Sequence, residues 1–153
     1  MQELGFNYRL SDIHASLARS QLKRAKVGLD KRKEIATKYY DYFKGKSYIK
    51  GQSTLIEGHA YHLYVIEVEE RKELHSYLRK LNIWCQIHYI PIHLMPFYRD
   101  LCNEEGNFPT AENYYKSCIS LPIFPTLKTE EQDFVIKSID DFFLHNVIVS
   151  PAR

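Results

Sequence analysis

The chain has 153 residues, long enough for one domain with a hydrophobic core, and its formal net charge is +2. So small a charge gives no electrostatic basis for binding nucleic acid or an acidic membrane surface. No apolar run approaches the roughly 20 residues that span a bilayer, and the first residues lack a signal-peptide pattern, so no membrane association is expected.

The first predicted element is a helix that begins after Ser11, a favourable N-cap. Its apolar positions are expected to line one face: Ile13, Leu17, Ala18 and Leu22. A second helix is predicted from about Val27 to Lys44, with Gly45 at its end. Its apolar stripe contains Ile35, Ala36, Tyr39, Tyr40 and Phe43. Its basic face is most simply solvated, because no base-stacking aromatic residues are interleaved with the lysines.

A small sheet is predicted in the middle of the chain. Residues 61–68 (YHLYVIEV) are rich in β-branched and aromatic residues, and both faces are largely apolar, which indicates a central strand. Residues 70–81 have the apolar spacing of a helix, and residues 83–88 (IWCQIH) are predicted to form a second strand. The alternation of strand, helix and strand favours an α+β fold with one domain over residues 1–153.

The remaining segments are predicted from their prolines and caps. Residues 89–97 (YIPIHLMPF) contain two prolines and are expected to be an extended loop, not a regular helix. Pro109 opens a short helix that carries Cys118, and residues 121–125 form an apolar link. Thr129 and Gln132 are predicted to form a capping box for a last amphipathic helix.

Histidines and cysteines suggest little metal chemistry. The cysteines are odd in number and widely spaced: Cys85, Cys102 and Cys118. Such spacing is typical of reduced thiols in a cytoplasmic protein. The histidines pair as His59 with His62 and as His88 with His93, but no acidic residue or cysteine joins the first pair at a ligand spacing. We therefore expect no metal site.

A polar group at the end of the second predicted strand is the stronger candidate for a binding site. Gln86, His88, Tyr89 and His93 lie where a strand passes into a loop fixed by proline. Rigid loops at strand ends are common places for sites. An edge strand whose polar side chains merely point to solvent explains Gln86 and His88 equally well.

The sequence resembles the DegT/DnrJ/EryC1/StrS sugar nucleotide aminotransferases over nearly its whole length. The landmarks that carry this resemblance are GFNYRLSDI at residues 5–13, SQL at 20–22, HLY at 62–64, QIHYIPIH at 86–93, FP at 108–109, AE at 111–112 and ISLP at 119–122. Within that family, the sequence at residues 1–13 and 88–93 is most similar to that of the transaminases of pseudaminic acid synthesis. A transaminase for another 4-amino sugar remains the alternative.

The resemblance implies a fold and an activity. The fold would be the C-terminal small domain of a pyridoxal 5'-phosphate (PLP) transferase of fold type I, with helices on a small, mainly antiparallel sheet. The intact enzyme would transfer an amino group, with glutamate as donor, to C4 of a UDP-linked 4-keto-6-deoxy sugar in bacterial surface glycan synthesis.

The resemblance also implies roles for individual residues. Asn7 would bind the PLP phosphate of a neighbouring subunit, and Arg9 would bind substrate in the same site. A stretch at the predicted strand end would contact the nucleotide sugar: Gln86, Ile87, His88 and Tyr89. His62 and His93 would be further substrate contacts.

The family's Schiff-base lysine and large domain precede the GFNYR segment, so the resemblance implies that this chain lacks both. We expect the chain alone to be inactive and to self-associate as a homodimer or larger species through apolar surface that the large domain would cover. The alternative function is a non-catalytic binding or dimerisation module derived from that domain.

Overall fold

The computed structural model describes residues 9–99 and 104–146, and its longest element is a single helix, α1 (Asp12–Phe43). The Ser11 hydroxyl oxygen accepts a hydrogen bond from the backbone N–H of His14 at 3.3 Å. At the other end the Lys44 N–H donates to the Tyr40 carbonyl, and Gly45 follows with a φ of +79°. A left-handed glycine there is the expected helix stop, so both predicted helix ends are confirmed.

The prediction of two separate helices in this region is wrong, because α1 runs without a break for 32 residues. The stretch Leu22–Val27 contains Lys, Arg and Ala, which are good helix formers and supply no stop. Gly28 lies inside α1, where a Cβ would stand 3.4 Å from Cγ of Pro125. A Cβ here would make only ordinary van der Waals contact with Pro125, so packing does not require the glycine, and the glycine does not end the helix.

The N-terminal half of α1 has no covering element among the described residues. Ile13, Leu17 and Leu22 are 76%, 57% and 75% exposed. At about 100° per residue, Leu17 lies about 40° from Ile13, but Leu22 lies about 180° from it. The prediction that these residues share one face is therefore wrong. Apolar side chains on opposite faces are typical of a helix that is covered from two sides.

The sheet has three antiparallel strands in the order β1 (Gly51–Gln52), β2 (Tyr64–Glu67) and β3 (Cys118–Leu121). The predicted central strand is confirmed as β2, although it is shorter than expected. β3 corrects the prediction that Cys118 belongs to a helix and Leu121 to a link. All four β3 residues are buried, so the polar alternation that signals a strand is missing.

Residues 83–88 do not form the predicted strand, since only Gln86 pairs with a neighbour. Its N–H donates to the Ser120 carbonyl at 3.2 Å, and the Ser120 N–H donates back at 2.8 Å. This single bridge still places the segment beside β3, at the free edge of the sheet. Ile83 and Cys85 are buried and Trp84 is exposed, so the side chains alternate as they would in a strand.

Among the described residues, the other α-helices are α2 (Arg71–Lys80), α3 (Pro96–Arg99), α4 (Pro109–Ser117) and α5 (Thr129–Asn146). A 3-10 turn, Ile92–Leu94, precedes α3. The expectation of a wholly extended loop over residues 89–97 is therefore wrong in its second half. The predicted helices at α2, α4 and α5 are confirmed. No helix within the described residues is long and apolar enough to span a membrane.

The core lies between the sheet and the helices α1, α2 and α5, as the predicted α+β arrangement requires. Its fully buried side chains include Tyr39, Tyr64, Ile66, Leu74 and Ile139. Two hydrogen bonds link distant elements within it. The Tyr39 hydroxyl donates to the Pro122 carbonyl at 3.0 Å, and Gln132 Nε2 donates to the Ile35 carbonyl at 2.8 Å.

The start of α5 differs from the predicted capping box by one residue. The Gln132 N–H donates to the Lys128 carbonyl, and the Lys128 N–H donates to the Glu131 carboxylate at 2.9 Å. Lys128 is therefore the N-cap, with Glu131 in the returning position. Gln132 is instead used for the contact with α1, which only the tertiary structure reveals.

Asp140 of α5 ties this helix to the end of α1. Its carboxylate accepts hydrogen bonds from the hydroxyls of Tyr42 and Tyr48, and Lys46 Nζ lies 3.5 Å away. Burial alone would raise the pKa of Asp140, but these hydrogen bonds and the lysine charge outweigh it, so the pKa lies below its usual value. The same carboxylate raises the pKa of Tyr42 to about 12.

We expect Asp140→Asn to lower the free energy of unfolding by about 2 kcal/mol at neutral pH, because it removes a charged hydrogen-bond acceptor. Because the folded-state pKa of Asp140 is lowered, its carboxylate stabilises the fold fully at pH values above the unfolded-state pKa of about 4. This stabilisation is lost as the pH falls through the folded-state pKa. Urea unfolding should therefore show the two stabilities converging at acid pH. Asp41→Asn, at an exposed position of α1, is the control. Parallel profiles for D140N and the unsubstituted chain would contradict the prediction.

Candidate functional site

The candidate segment, residues 86–89, runs along the free edge of β3. Its residues differ in how many contacts they make with the rest of the protein. Gln86 is fixed through its backbone by the bridge to Ser120, and its side chain is exposed. Ile87 is half-buried. The structure thus joins the two interpretations of the sequence: the side chain does point outward from an edge, and the edge leads directly into a shaped loop.

His88 is held by side-chain contacts, whereas Tyr89 is displayed. The Nδ1 atom of His88 lies 2.8 Å from the Ser120 hydroxyl, and its ring packs edge-on against the Tyr89 ring at 4.6 Å. Tyr89 itself is 68% exposed. An oriented imidazole beside an exposed phenol offers hydrogen-bonding groups and an apolar face, which suits a polar ring such as a sugar. Ser120 was missed in the sequence because its partner is 32 residues away.

His93 lies in a different environment from the one predicted for a substrate contact. It sits in the 3-10 turn Ile92–Leu94 and is 8% exposed. Its Nε2 is 2.9 Å from Oε1 of Glu112, and its ring packs on Phe108 at 4.7 Å. The imidazole is therefore engaged inside the protein. Glu112 was also missed, although an acidic residue in the first turn after Pro109 is a recognisable sign of a carboxylate that binds backbone N–H groups.

The structure separates His62 from His88. His62 is exposed and precedes β2, whose first residue, Tyr64, is opposite Leu121. His88 lies at the other end of β3, where its carbonyl is 3.8 Å from the Cys118 Sγ. The backbone at His62 is tied to α1, because Arg32 donates to its carbonyl at 3.3 Å. The two histidines thus do not belong to one cluster.

The residues predicted near the start of the chain can be placed only in part. Arg9 is exposed and stands two residues before the N-cap of α1. Asn7 lies outside the described residues. Among the described residues, no group of three or more His, Cys, Asp or Glu side chains is arranged to hold a metal ion.

A separate groove of about 550 Å³ includes Trp84, two residues before the candidate segment, in its lining. Its walls are mainly apolar and come from the turn after α2, the link after β3 and the start of α5, and its residues include Leu81, Trp84, Phe124, Leu127 and Phe134. The Arg79 guanidinium stacks over the Trp84 ring at 3.6 Å. The lining takes in none of the residues from Gln86 to Tyr89.

With this geometry in place, comparison with known proteins identifies the class. Residues 1–140 match the DegT/DnrJ/EryC1/StrS aminotransferase family. The chain belongs to this family, whose aminotransferases depend on PLP. The resemblance seen in the sequence motifs is confirmed.

The relatives include proteins of sugar metabolism. The chain is 34% identical over 146 residues to the spore coat polysaccharide biosynthesis protein SpsC of Bacillus subtilis, with 90% of this chain and 38% of the relative covered. It is also 34% identical over 144 residues to the UDP-4-amino-4,6-dideoxy-N-acetyl-beta-L-altrosamine transaminase of Campylobacter jejuni, with 88% and 37% covered. The chain therefore spans about two fifths of the length of these relatives.

Solved structures agree with the same assignment. Helicobacter pylori PseC, an aminotransferase of pseudoaminic acid biosynthesis, superposes with a TM-score of 0.84 at 31% identity, covering 94% of this chain and 40% of PseC. The PLP form of Spr1654 from Streptococcus pneumoniae, a protein assigned as a sugar aminotransferase, gives a TM-score of 0.80 at 31% identity, covering 87% of this chain and 36% of Spr1654. The helices and small antiparallel sheet of this chain are thus a part of an aminotransferase fold.

Proposed function

We propose that this chain is the C-terminal small domain of a fold-type-I sugar nucleotide aminotransferase. The whole enzyme would transfer an amino group from glutamate to C4 of a UDP-linked 4-keto-6-deoxy-N-acetylhexosamine in bacterial surface glycan synthesis. The observation that carries this proposal is the similarity to PseC, in sequence and in backbone, over 94% of the chain. Buried free thiols at Cys85 and Cys118 are consistent with a cytoplasmic location.

The described residues do not by themselves fit PLP. Arg9, Gln86 and Tyr89 are exposed, so a ligand that they bind needs a second surface from the rest of the enzyme or from another subunit. Asn7, assigned to the cofactor phosphate, lies outside the described residues. When bound in the whole enzyme, PLP would supply the electron sink for amino transfer.

The part of this chain would be to bind and orient the substrates. The Arg9 guanidinium is suited to two parallel hydrogen bonds with a carboxylate or phosphate. The segment from Gln86 to Tyr89 would contact the nucleotide sugar, with His88 oriented by Ser120 and with Tyr89 presented to the ligand. His62 would contribute from the opposite end of β3, whereas buried His93 would act through the loop that it holds.

The test is a hybrid enzyme in which this chain replaces the corresponding C-terminal part of H. pylori PseC. PseC divided at the same point and reassembled from its own two parts is the positive control. We expect the hybrid to transfer the amino group from glutamate to the UDP-4-keto sugar, and this chain alone to transfer none. Activity in the reassembled PseC together with an inactive, folded hybrid would contradict the proposal.

The exposed half of α1 favours a second candidate, a binding or dimerisation module without catalysis. Apolar residues on two faces of this helix would then meet another subunit only. An adjoining reading frame that encodes the large domain with the Schiff-base lysine would favour the aminotransferase function. Failure of every hybrid that contains such a large domain would favour the non-catalytic module.

A further inference from the structure

Glu112 connects the loop just before α4 to the turn at His93, which lies 19 residues earlier in the chain. Besides its contact with His93, its carboxylate accepts hydrogen bonds from the Gly106 N–H at 2.8 and 3.0 Å and from the Phe108 N–H at 3.3 Å. The Glu112 and His93 side chains are only 5% and 9% exposed. Hydrogen bonds from His93 and these backbone groups hold the pKa of Glu112 below its usual value despite burial. These hydrogen bonds therefore stabilise the ionised Glu112 carboxylate inside the protein.

The helix that carries Glu112 is itself fixed. Arg71, buried at the start of α2, donates to the carbonyls of Lys116 and Tyr115 at 3.2 and 3.1 Å. A cation that caps the last carbonyls of a helix also interacts favourably with the helix dipole. α4 is therefore held at both ends, and Glu112 provides a rigid attachment point.

The exposed stretch from Tyr89 to Ile92 lies between two histidines whose side chains are hydrogen-bonded to other parts of the fold. On one side His88 is held by Ser120, and on the other His93 is held by Glu112. Pro91, between them, restricts the backbone further. Because a ligand binds more tightly to a loop that is already in its bound conformation, the second anchor bears directly on how Tyr89 is presented.

We propose that Glu112 is a positioning residue: by holding His93 it fixes the segment from Tyr89 to Met95, and so presents Tyr89 to the nucleotide sugar. The identity of the ligand rests on the proposed function, whereas the fixing of the segment does not. Glu112 touches no substrate in this scheme and acts only through His93.

The first test measures amide hydrogen exchange in this chain by NMR. Glu112→Gln is expected to speed exchange of the hydrogen-bonded Leu94 and Met95 amides about tenfold or more, because the turn that contains His93 loses its charged acceptor, and to leave β2 unchanged. Asp140→Asn removes another hydrogen-bonded carboxylate at a distant place and is the control for general destabilisation, so it should not speed exchange selectively at Leu94 and Met95. His93→Gln retains a donor and should keep exchange slow, whereas His93→Ala should resemble E112Q. Unchanged exchange in E112Q would overturn the proposal.

The second test uses the hybrid enzyme. E112Q should raise the KM for the nucleotide sugar about tenfold and leave the KM for glutamate within about twofold, a split that general destabilisation does not produce. Faster exchange with an unaltered sugar KM would overturn the positioning role. An inactive unsubstituted hybrid would contradict the proposed function, while the exchange experiment would still decide whether Glu112 fixes the segment.

Discussion

Replacing Arg9 by Ala is expected to lower amino transfer by the hybrid enzyme about 100-fold, with little change in its melting temperature. A guanidinium that binds a carboxylate or phosphate makes charge-assisted hydrogen bonds, and losing about 3 kcal/mol of such binding corresponds to a factor of about 100. The fold should be unaffected, because Arg9 is exposed and precedes the N-cap of α1.

Arg19→Ala is the matched control for R9A, since Arg19 is an exposed arginine on α1 and its loss changes the net charge equally. Steady-state kinetics with varied glutamate and varied nucleotide sugar would show which substrate Arg9 serves. A marked fall in the melting temperature of R9A alongside its loss of activity would refute the assignment. Equal kinetic effects of R9A and R19A would refute it as well.

Local signals in the sequence were sufficient for the helix ends and for the central strand. Ser11 and Gly45 mark the limits of α1 because capping depends on one side chain or one φ angle. β3 escaped prediction because burial on both faces removes the alternation on which strand prediction depends. The strand predicted at residues 83–88 is reduced to one bridge, because local propensity does not determine how many residues find a pairing partner.

The candidate site was predictable in composition but not in arrangement. The change from a polar strand end to a proline-containing loop pointed to Gln86, His88 and Tyr89 from their positions alone. That His93 turns inward depends on Glu112, 19 residues further along the chain. Similarly, Ser120 orients His88 only because the sheet brings residues 86 and 120 together. Such contacts arise from tertiary structure and leave no short-range pattern in the sequence.

The second large effect concerns self-association through the N-terminal half of α1. We expect the chain to self-associate, and we expect Ile13→Gln, Leu17→Gln and Leu22→Gln together to weaken that association at least about 1000-fold. Burying three such side chains contributes about 5 kcal/mol. Gln retains good helix propensity, so α1 should persist. Analytical ultracentrifugation over a range of concentrations measures the change, and circular dichroism confirms the helix content.

The two faces of α1 allow a sharper version of the same experiment. I13Q/L17Q alters one face and L22Q alters the opposite face, so comparable weakening by both variants would mean that the helix is enclosed by its partners. Weakening by only one would assign a single contact face. Ile56→Gln, at an exposed apolar position outside α1, controls for the loss of apolar surface in general. A chain that stays monomeric at every concentration, or a triple variant that associates as strongly as the unsubstituted chain, would rule out this surface as the interface.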